Sequence, residues 1–368
     1  MVIVIILPMN ISIAIVGLPN AGKSTLFNAL LRKQQALAAN YPFATIEPNT
    51  GIVPVPDERL NVLAKIVHTE KIVPALVEFV DVAGLVKGAH SGEGLGNKFL
   101  SHIRETSAIV YVLRFFEDPD VIHVANKVDP AEDLATLNEE LLLSDLQTLD
   151  NMKEPKQNAS KEQKEAYELA QLLKKHLDTG IPAREFELDI EQKQLVKQFN
   201  LLTMKPAIYV ANMSEEQLQN KDAVLAEWSR IAHPGSQIIT LSAKLESELS
   251  EATDEERKEL LSSVGITESA LDQLARVGYE TLNLISFLTA GEIEARAWTI
   301  LKGAKAPQAA AVIHTDFEKK FIKADIVSYK DFVAENGWVG SRAKGLARSE
   351  GKEYVMQEGD IVEFKIGA

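Results

Sequence analysis

The chain has 368 residues, 46% of them hydrophobic and 25% charged, the composition of a folded protein of two or three domains. Its 39 basic and 53 acidic residues leave a formal net charge of −14, which excludes a protein that coats nucleic acid nonspecifically and restricts any RNA contact to a local patch. Cysteine is absent, so disulfides, cysteine-ligated zinc and thiol catalysis are excluded together.

The first eight residues, MVIVIILP, are apolar but lack the basic flank of a signal peptide. They also fall far below the roughly 20 residues that span a bilayer. Because Met9 stands just before the next strand-like run, they read as an upstream extension or a misassigned start. Ile11 to Val16 is a β-branched apolar run and predicts a strand, and a helical pattern begins at Leu26. Between them, Gly17-x-x-x-x-Gly22-Lys23-Ser24 fills every fixed position of a P-loop. In that motif the glycines let main-chain N–H groups turn toward phosphates, the lysine reaches the β- and γ-phosphates, and the serine hydroxyl binds magnesium. Lys23 and Ser24 are assigned those roles.

Asn40 to Thr45 follows as a loop rich in turn residues, and Thr45 is the candidate switch threonine that completes magnesium coordination. Strands are expected at Gly51 to Val55 and at Leu76 to Val80, the latter ending in Asp81-Val82-Ala83-Gly84. There Asp81 can hold the magnesium shell and the Gly84 N–H can sense the γ-phosphate. The next residue is Leu85, where Ras-type switches carry a water-orienting glutamine, so another group must position water. After a fourth strand, Ile109 to Phe115, His123 is the candidate, because an imidazole can accept a proton near neutral pH.

Asn126-Lys127-Val128-Asp129 has the form of a guanine-recognition motif. About ten residues separate it from the fourth strand, too few for a parallel crossover, so it is set aside. Leucines 134, 137, 141 and 149, then Ala166, Leu169, Leu173 and Leu177 after a polar break, predict an inserted antiparallel helical hairpin. Strands resume at Pro206 to Ala211 and Ile238 to Leu241. The first runs into Asn212-Met213-Ser214-Glu215 and the second into Ser242-Ala243-Lys244, the order and spacing of a purine-base site. Glu215 stands where guanine recognition uses aspartate, one methylene too long for that fork, which weakens GTP and leaves ATP open. Beyond Asn283 the texture turns to short β-rich runs, Ala295 to Leu301, Ala324 to Val327 and Ile361 to Ile366, with 12 basic and 12 acidic residues. A local basic cluster at Arg342, Lys344, Arg348 and Lys352 is a candidate RNA contact, with a solvated surface as the alternative.

GLPNAGKST, NYPFATIEPNTG, DVAGLVKGAHSGEGLGNKF, the YVANMSE strand end and the late AWTILKGAKAPQAAAVIHTDFEKKFIKADIV segment together resemble the YchF or Obg-like ATPase subfamily of the Obg-related P-loop GTPases. The resemblance runs from about Met9 to the end. It implies an α/β protein with a mainly parallel P-loop G domain (9–130 and 201–282), a helical coiled-coil insertion (131–200) and a C-terminal TGS domain of β-grasp fold (283–368). It implies phosphate contacts from Asn20, Ala21, Gly22, Lys23, Ser24 and Thr25, magnesium at Ser24, Thr45 and Asp81, and base contacts from Asn212 and Met213. Glu215, Ser242, Ala243 and Lys244 flank that base, Gly84 faces the γ-phosphate, and His123 with Lys23 forms the catalytic pair. The implied activity is slow hydrolysis of ATP in preference to GTP, with magnesium, and with potassium dependence through Asn20 left open. The implied partners are the ribosome, its large subunit and its RNA, in the cytoplasm, with no membrane or DNA, and a role in translation or stress responses. A GTP-specific switch, a nucleotide-holding scaffold and a small-molecule kinase are the competing readings, although no acceptor-site motif favours the kinase.

Overall fold

A computed structural model describes residues 12–40, 49–82, 95–117, 127–233, 236 and 238–367. Its strands are β1 (Ser12–Val16), β2 (Thr50–Pro54), β3 (Ile72–Val73), β4 (Leu76–Asp81), β5 (Ala108–Arg114), β6 (Ala207–Asn212), β7 (Ile238–Leu241), β8 (Leu284–Ala290), β9 (Ala295–Leu301), β10 (Phe321–Ser328), β11 (Arg348–Glu350) and β12 (Asp360–Ile366). They form two six-stranded sheets, ordered β2-β4-β1-β5-β6-β7 and β11-β10-β12-β8-β9-β3.

The first sheet is parallel except at β2, which runs antiparallel to β4. Every residue of β5 is buried, as expected for a strand covered on both faces. The period of two sends Val110 and Val112 into one core, with the helix Lys23–Asn40 (through Leu26 and Leu30) and the helix Ala270–Thr281 (through Leu271 and Leu274). Ile109, Tyr111 and Leu113 enter the other core, which Ile103, Leu134, Leu137 and Leu141 complete. Register places Ile15 beside Asp81, Val16 beside Tyr111, Arg114 beside Asn212 and Asn212 beside Leu241, so the carboxyl ends of β1, β4, β5, β6 and β7 line one rim. Ligands of parallel α/β sheets bind along such a rim.

The expected hairpin consists of helices Pro130–Asp150 and Lys161–Leu177. Ser160 and Gln163 form a capping box that starts the second helix. The first helix serves two cores: Leu134, Leu137 and Leu141 pack on the sheet, whereas Leu142 and Leu149 pack with Leu169, Leu173, Phe199 and Leu201 in the hairpin. The hairpin core is therefore narrower than the leucine spacing suggested.

The second sheet contains the three late runs expected from sequence, together with β8 and β11, which that pattern left unnamed. It also takes β3 from far earlier in the chain, paired parallel to β9 through Ile72 and Ala295. Nearby, Arg59 joins both Asp57 and Glu358, and the other oxygen of Glu358 accepts from Ser286 N–H at 2.8 Å. A Cβ on Gly359, whose φ is +79°, would come within 2.6 Å of Arg59 Nη1. The late sheet is thus fastened to the P-loop region by backbone pairing and a partly exposed ion network.

Candidate functional site

The turn between β1 and the helix Lys23–Asn40 crosses directly above β5. A Cβ on Gly17 would stand 2.8 Å from the Val112 carbonyl oxygen, so only glycine fits there. Asn20 (φ +65°) and Gly22 (φ +90°) take left-handed backbone, and this brings the turn back to the helix start. Lys23 is buried, and its Nζ pairs with Asp81 Oδ1 at the end of β4. Ser24 and Thr25 are exposed on the first helical turn, where main-chain N–H groups have no intrahelical acceptor. A hydroxyl and a carboxylate flanking a phosphate-directed lysine are hard oxygen donors that suit magnesium, which keeps most of its shell for water and phosphate oxygens. Among the described residues no group of three or more histidine, aspartate or glutamate side chains could hold a metal ion. Thr45, Gly84 and His123, and Leu85 with them, lie outside the described residues.

The base-side residues meet the P-loop through Asn212, which is 3% exposed. Its Nδ2 donates to Ala21 O at 2.9 Å, and its Oδ1 accepts from Ala243 N–H at 2.9 Å. A Cβ on Gly22 would fall 1.9 Å from that Nδ2, so Gly22 is also the residue that admits this clamp. Met213 is buried, packs with Leu218 and Trp228, and donates its N–H to Leu241 O at 2.8 Å. Its side chain belongs to the core, which leaves the main chain as the part a base could meet. Ser242 caps the helix Ala243–Glu251 by accepting from Leu245 N–H at 3.3 Å. Lys244 reaches Glu215 at 3.6 Å, so the two residues assigned to flank the base face each other. Lys23, Asp81, Asn212, Ala243, Glu215 and Lys244 therefore assemble on the rim, although they come from the ends of four different strands, β1, β4, β6 and β7, and over two hundred residues separate the first from the last.

Sequence reasoning missed Gln217. Its Oε1 accepts from Ser214 N–H at 2.8 Å, and its Nε2 donates to Phe115 O at 2.9 Å, from the helix Glu215–Gln219 after β6 across to the end of β5. The available signal was Ser-x-x-Gln directly after a strand, the spacing of a capping box. The tetrapeptide set aside earlier has a structural use: Asp129 accepts from Glu132 N–H at 3.2 Å and caps the helix Pro130–Asp150. Lys127, 3.0 Å away, and then that N–H hold the Asp129 carboxyl below its ordinary range.

The hairpin joins the rest of the molecule through a buried polar junction. Asp145, fully buried, accepts from Leu202 N–H at 2.7 Å, Thr203 N–H at 2.8 Å and the Thr203 hydroxyl at 2.7 Å. Burial pushes its carboxyl up, opposed by those donors. Arg184 donates to Thr203 O at 3.3 Å and to the Tyr209 hydroxyl at 3.2 Å, keying the hairpin to β6.

The late basic cluster is largely neutralised. Arg342 pairs with Glu363, Lys344 with Glu335 at 2.9 Å and Arg348 with Glu350 at 3.9 Å, while Lys323 meets Asp325 at 3.1 Å. Lys352, Lys319 and Lys320 are exposed and form no ion pair among the described residues. Among those residues, no helix is long and apolar enough to cross a membrane.

A family model described as a 50S ribosome-binding GTPase matches residues 12–148. A YchF-GTPase carboxy-terminal model, described as a protein of unknown function, matches residues 284–367. The chain is similar to the ribosome-binding ATPase YchF of Haemophilus influenzae, 47% identical over 361 residues, covering 97% of this chain and 99% of that one. The protein of the same name from Bacillus subtilis is also 47% identical, over 366 residues with the same coverage. Among solved structures, the Schizosaccharomyces pombe YchF GTPase superposes with a TM-score of 0.86 at 38% identity, covering 97% of this chain and 98% of its own.

Proposed function

The chain belongs to the YchF family, and from that premise we propose that it is a ribosome-binding P-loop ATPase whose bound nucleotide controls its engagement with the ribosome. The observation that carries this reading is the convergence of Lys23 and Asp81 with the Asn212 clamp at the carboxyl ends of β4 and β6. Asn20 to Thr25 cradle the triphosphate, and Lys23 exchanges its Asp81 partner for the β- and γ-phosphates. Ser24 and Asp81, with Thr45, would hold a magnesium ion, which supplies charge neutralisation for the phosphates when bound. Glu215 and Lys244 flank the base, with Asn212 and Met213 beneath it and the Ser242 and Ala243 main chain at its edge. Glutamate in place of the guanine-reading aspartate supports ATP over GTP. Potassium at Asn20 remains part of the same reading.

Hydrolysis is slow in this proposal, because Leu85 cannot orient water and His123 takes that role. Residues 9–130 with 201–282 form the nucleotide unit, 131–200 the hairpin, and 283–368 the TGS unit that meets the large ribosomal subunit and its RNA in the cytoplasm. The neutralised Arg342, Lys344 and Arg348 leave Lys319, Lys320 and Lys352 as the cations offered to phosphate. Phosphate release from magnesium ATP, with and without ribosomes, tests the function. Lys23→Ala should abolish turnover, and His123→Ala should lower it while sparing ATP affinity. Equal phosphate release by wild type and Lys23→Ala would refute the hydrolytic reading.

A further inference from the structure

We propose, given the reading of Asn212 to Glu215 and Ser242 to Lys244 as the base site, that Gln217 is a positioning residue that sets nucleotide-base affinity by tying the base-facing turn to the end of β5. Three bonds converge on it. Its Oε1 accepts from Ser214 N–H at 2.8 Å, and its own N–H donates to Ser214 Oγ at 3.2 Å, which closes the capping box of the helix Glu215–Gln219. The third bond runs from Nε2 to Phe115 O at 2.9 Å, between residues 102 apart in sequence. A capping box uses only the acceptor oxygen and is served equally by glutamate. The amide is required only by Phe115, because a carboxylate has no proton to give that carbonyl.

Phe115 is thereby held at both main-chain groups. Its N–H donates to Asn212 O at 2.8 Å, and its carbonyl accepts from Gln217. These two partners bracket Met213 to Glu216, so the turn carrying Glu215 is pinned at either end to one residue, Phe115, just past the end of the neighbouring strand. A five-residue helix cannot hold its own direction in water, since its nucleus is unfavourable, so the orientation of Glu215 toward Lys244 depends on this external tie. The phosphate contacts depend on other elements, the start of the helix Lys23–Asn40 and the end of β4. Loosening the turn should therefore weaken recognition of the base and leave recognition of the phosphates intact.

The test compares two ligands on the full chain, each with magnesium: ATP, and inorganic tripolyphosphate, which has the phosphate chain without a base. Gln217→Glu keeps the capping acceptor and deletes the donor to Phe115. Its ATP affinity should fall about twofold to tenfold, the range for one neutral hydrogen bond, with tripolyphosphate affinity unchanged. Gln217→Ala should lose at least as much ATP affinity. If Gln217→Glu binds ATP as wild type does, while wild type prefers ATP to tripolyphosphate, the role of Gln217 is overturned and the base-site reading stands. If wild type binds both ligands equally, the base-site reading fails and the role of Gln217 fails with it. An equal loss for both ligands would make Gln217 a general structural residue and also overturn the proposal.

Discussion

Asn212 joins the P-loop to the Ser242–Lys244 segment with the two ends of one buried amide, and its replacement separates two effects. Asn212→Ala leaves the Ala21 carbonyl and the Ala243 N–H without partners in a site where Ala21 and Ala243 are 2% and 3% exposed. Each orphaned group costs about 1–3 kcal/mol, so the local loss is about 2–6 kcal/mol. Asn212→Asp keeps an acceptor for Ala243 N–H but sets an unprotonated oxygen against Ala21 O, breaking only the P-loop arm. Amide hydrogen exchange at Ala243 should therefore accelerate in Asn212→Ala and stay close to wild type in Asn212→Asp. Magnesium ATP affinity should fall about 5- to 150-fold in both, which is 1–3 kcal/mol of lost P-loop preorganisation. Wild-type exchange at Ala243 in Asn212→Ala, or undiminished ATP affinity in both variants, would refute the clamp.

Two further substitutions probe the junctions around this site. Asp145→Ala removes the acceptor of three buried donors and should destabilise the hairpin attachment by about 3–5 kcal/mol; denaturant unfolding with exchange at Leu202 and Thr203 measures it, and a change below about 1 kcal/mol would contradict the junction's role. Glu246 is buried beneath the Ala270–Thr281 helix, and burial pushes its carboxyl up against the downward pull of the Ala270 and Leu271 N–H groups. The fold thus holds this proton more tightly than the unfolded chain does, so its contribution is full below the ordinary carboxylate range and is lost as pH rises through the raised folded value. The stability of wild type relative to Glu246→Gln, which retains an oxygen for Ala270 N–H, should decline from about pH 4 upward and then level; a flat difference across that range would contradict the shift.

Local pattern made much of the fold legible. The run before Gly17 and the glycines at 17 and 22 declared strand, turn and helix because each requirement is confined to adjacent residues, and the structure supplies the close approaches that demand those glycines. Spacing set Asn126 to Asp129 aside as a base motif, and in the structure Asp129 caps a helix. What stayed hidden depends on distant partners. Ile72 and Val73 are too short a run to announce a strand, and only β9, over two hundred residues later, makes them one. The β2 strand reads the same whether parallel or antiparallel, since direction leaves no trace in composition. Arg342 and Lys344 looked like a basic patch because Glu363 and Glu335, which neutralise them, are brought close by folding. Gln217 gave its helix-start signal, yet its bond to Phe115 exists only because β5 and β6 lie side by side.

On the proposed function, the rim around Lys23, Asp81 and Asn212 binds a purine triphosphate and prefers adenine. Parallel equilibrium titrations of the full chain with labelled ATP and GTP, each with magnesium, test it most directly. Saturable binding of both with tighter binding of ATP, lost in Lys23→Ala, is the expected result; no measurable affinity for either nucleotide would contradict the site itself, and tighter GTP binding would contradict the adenine preference.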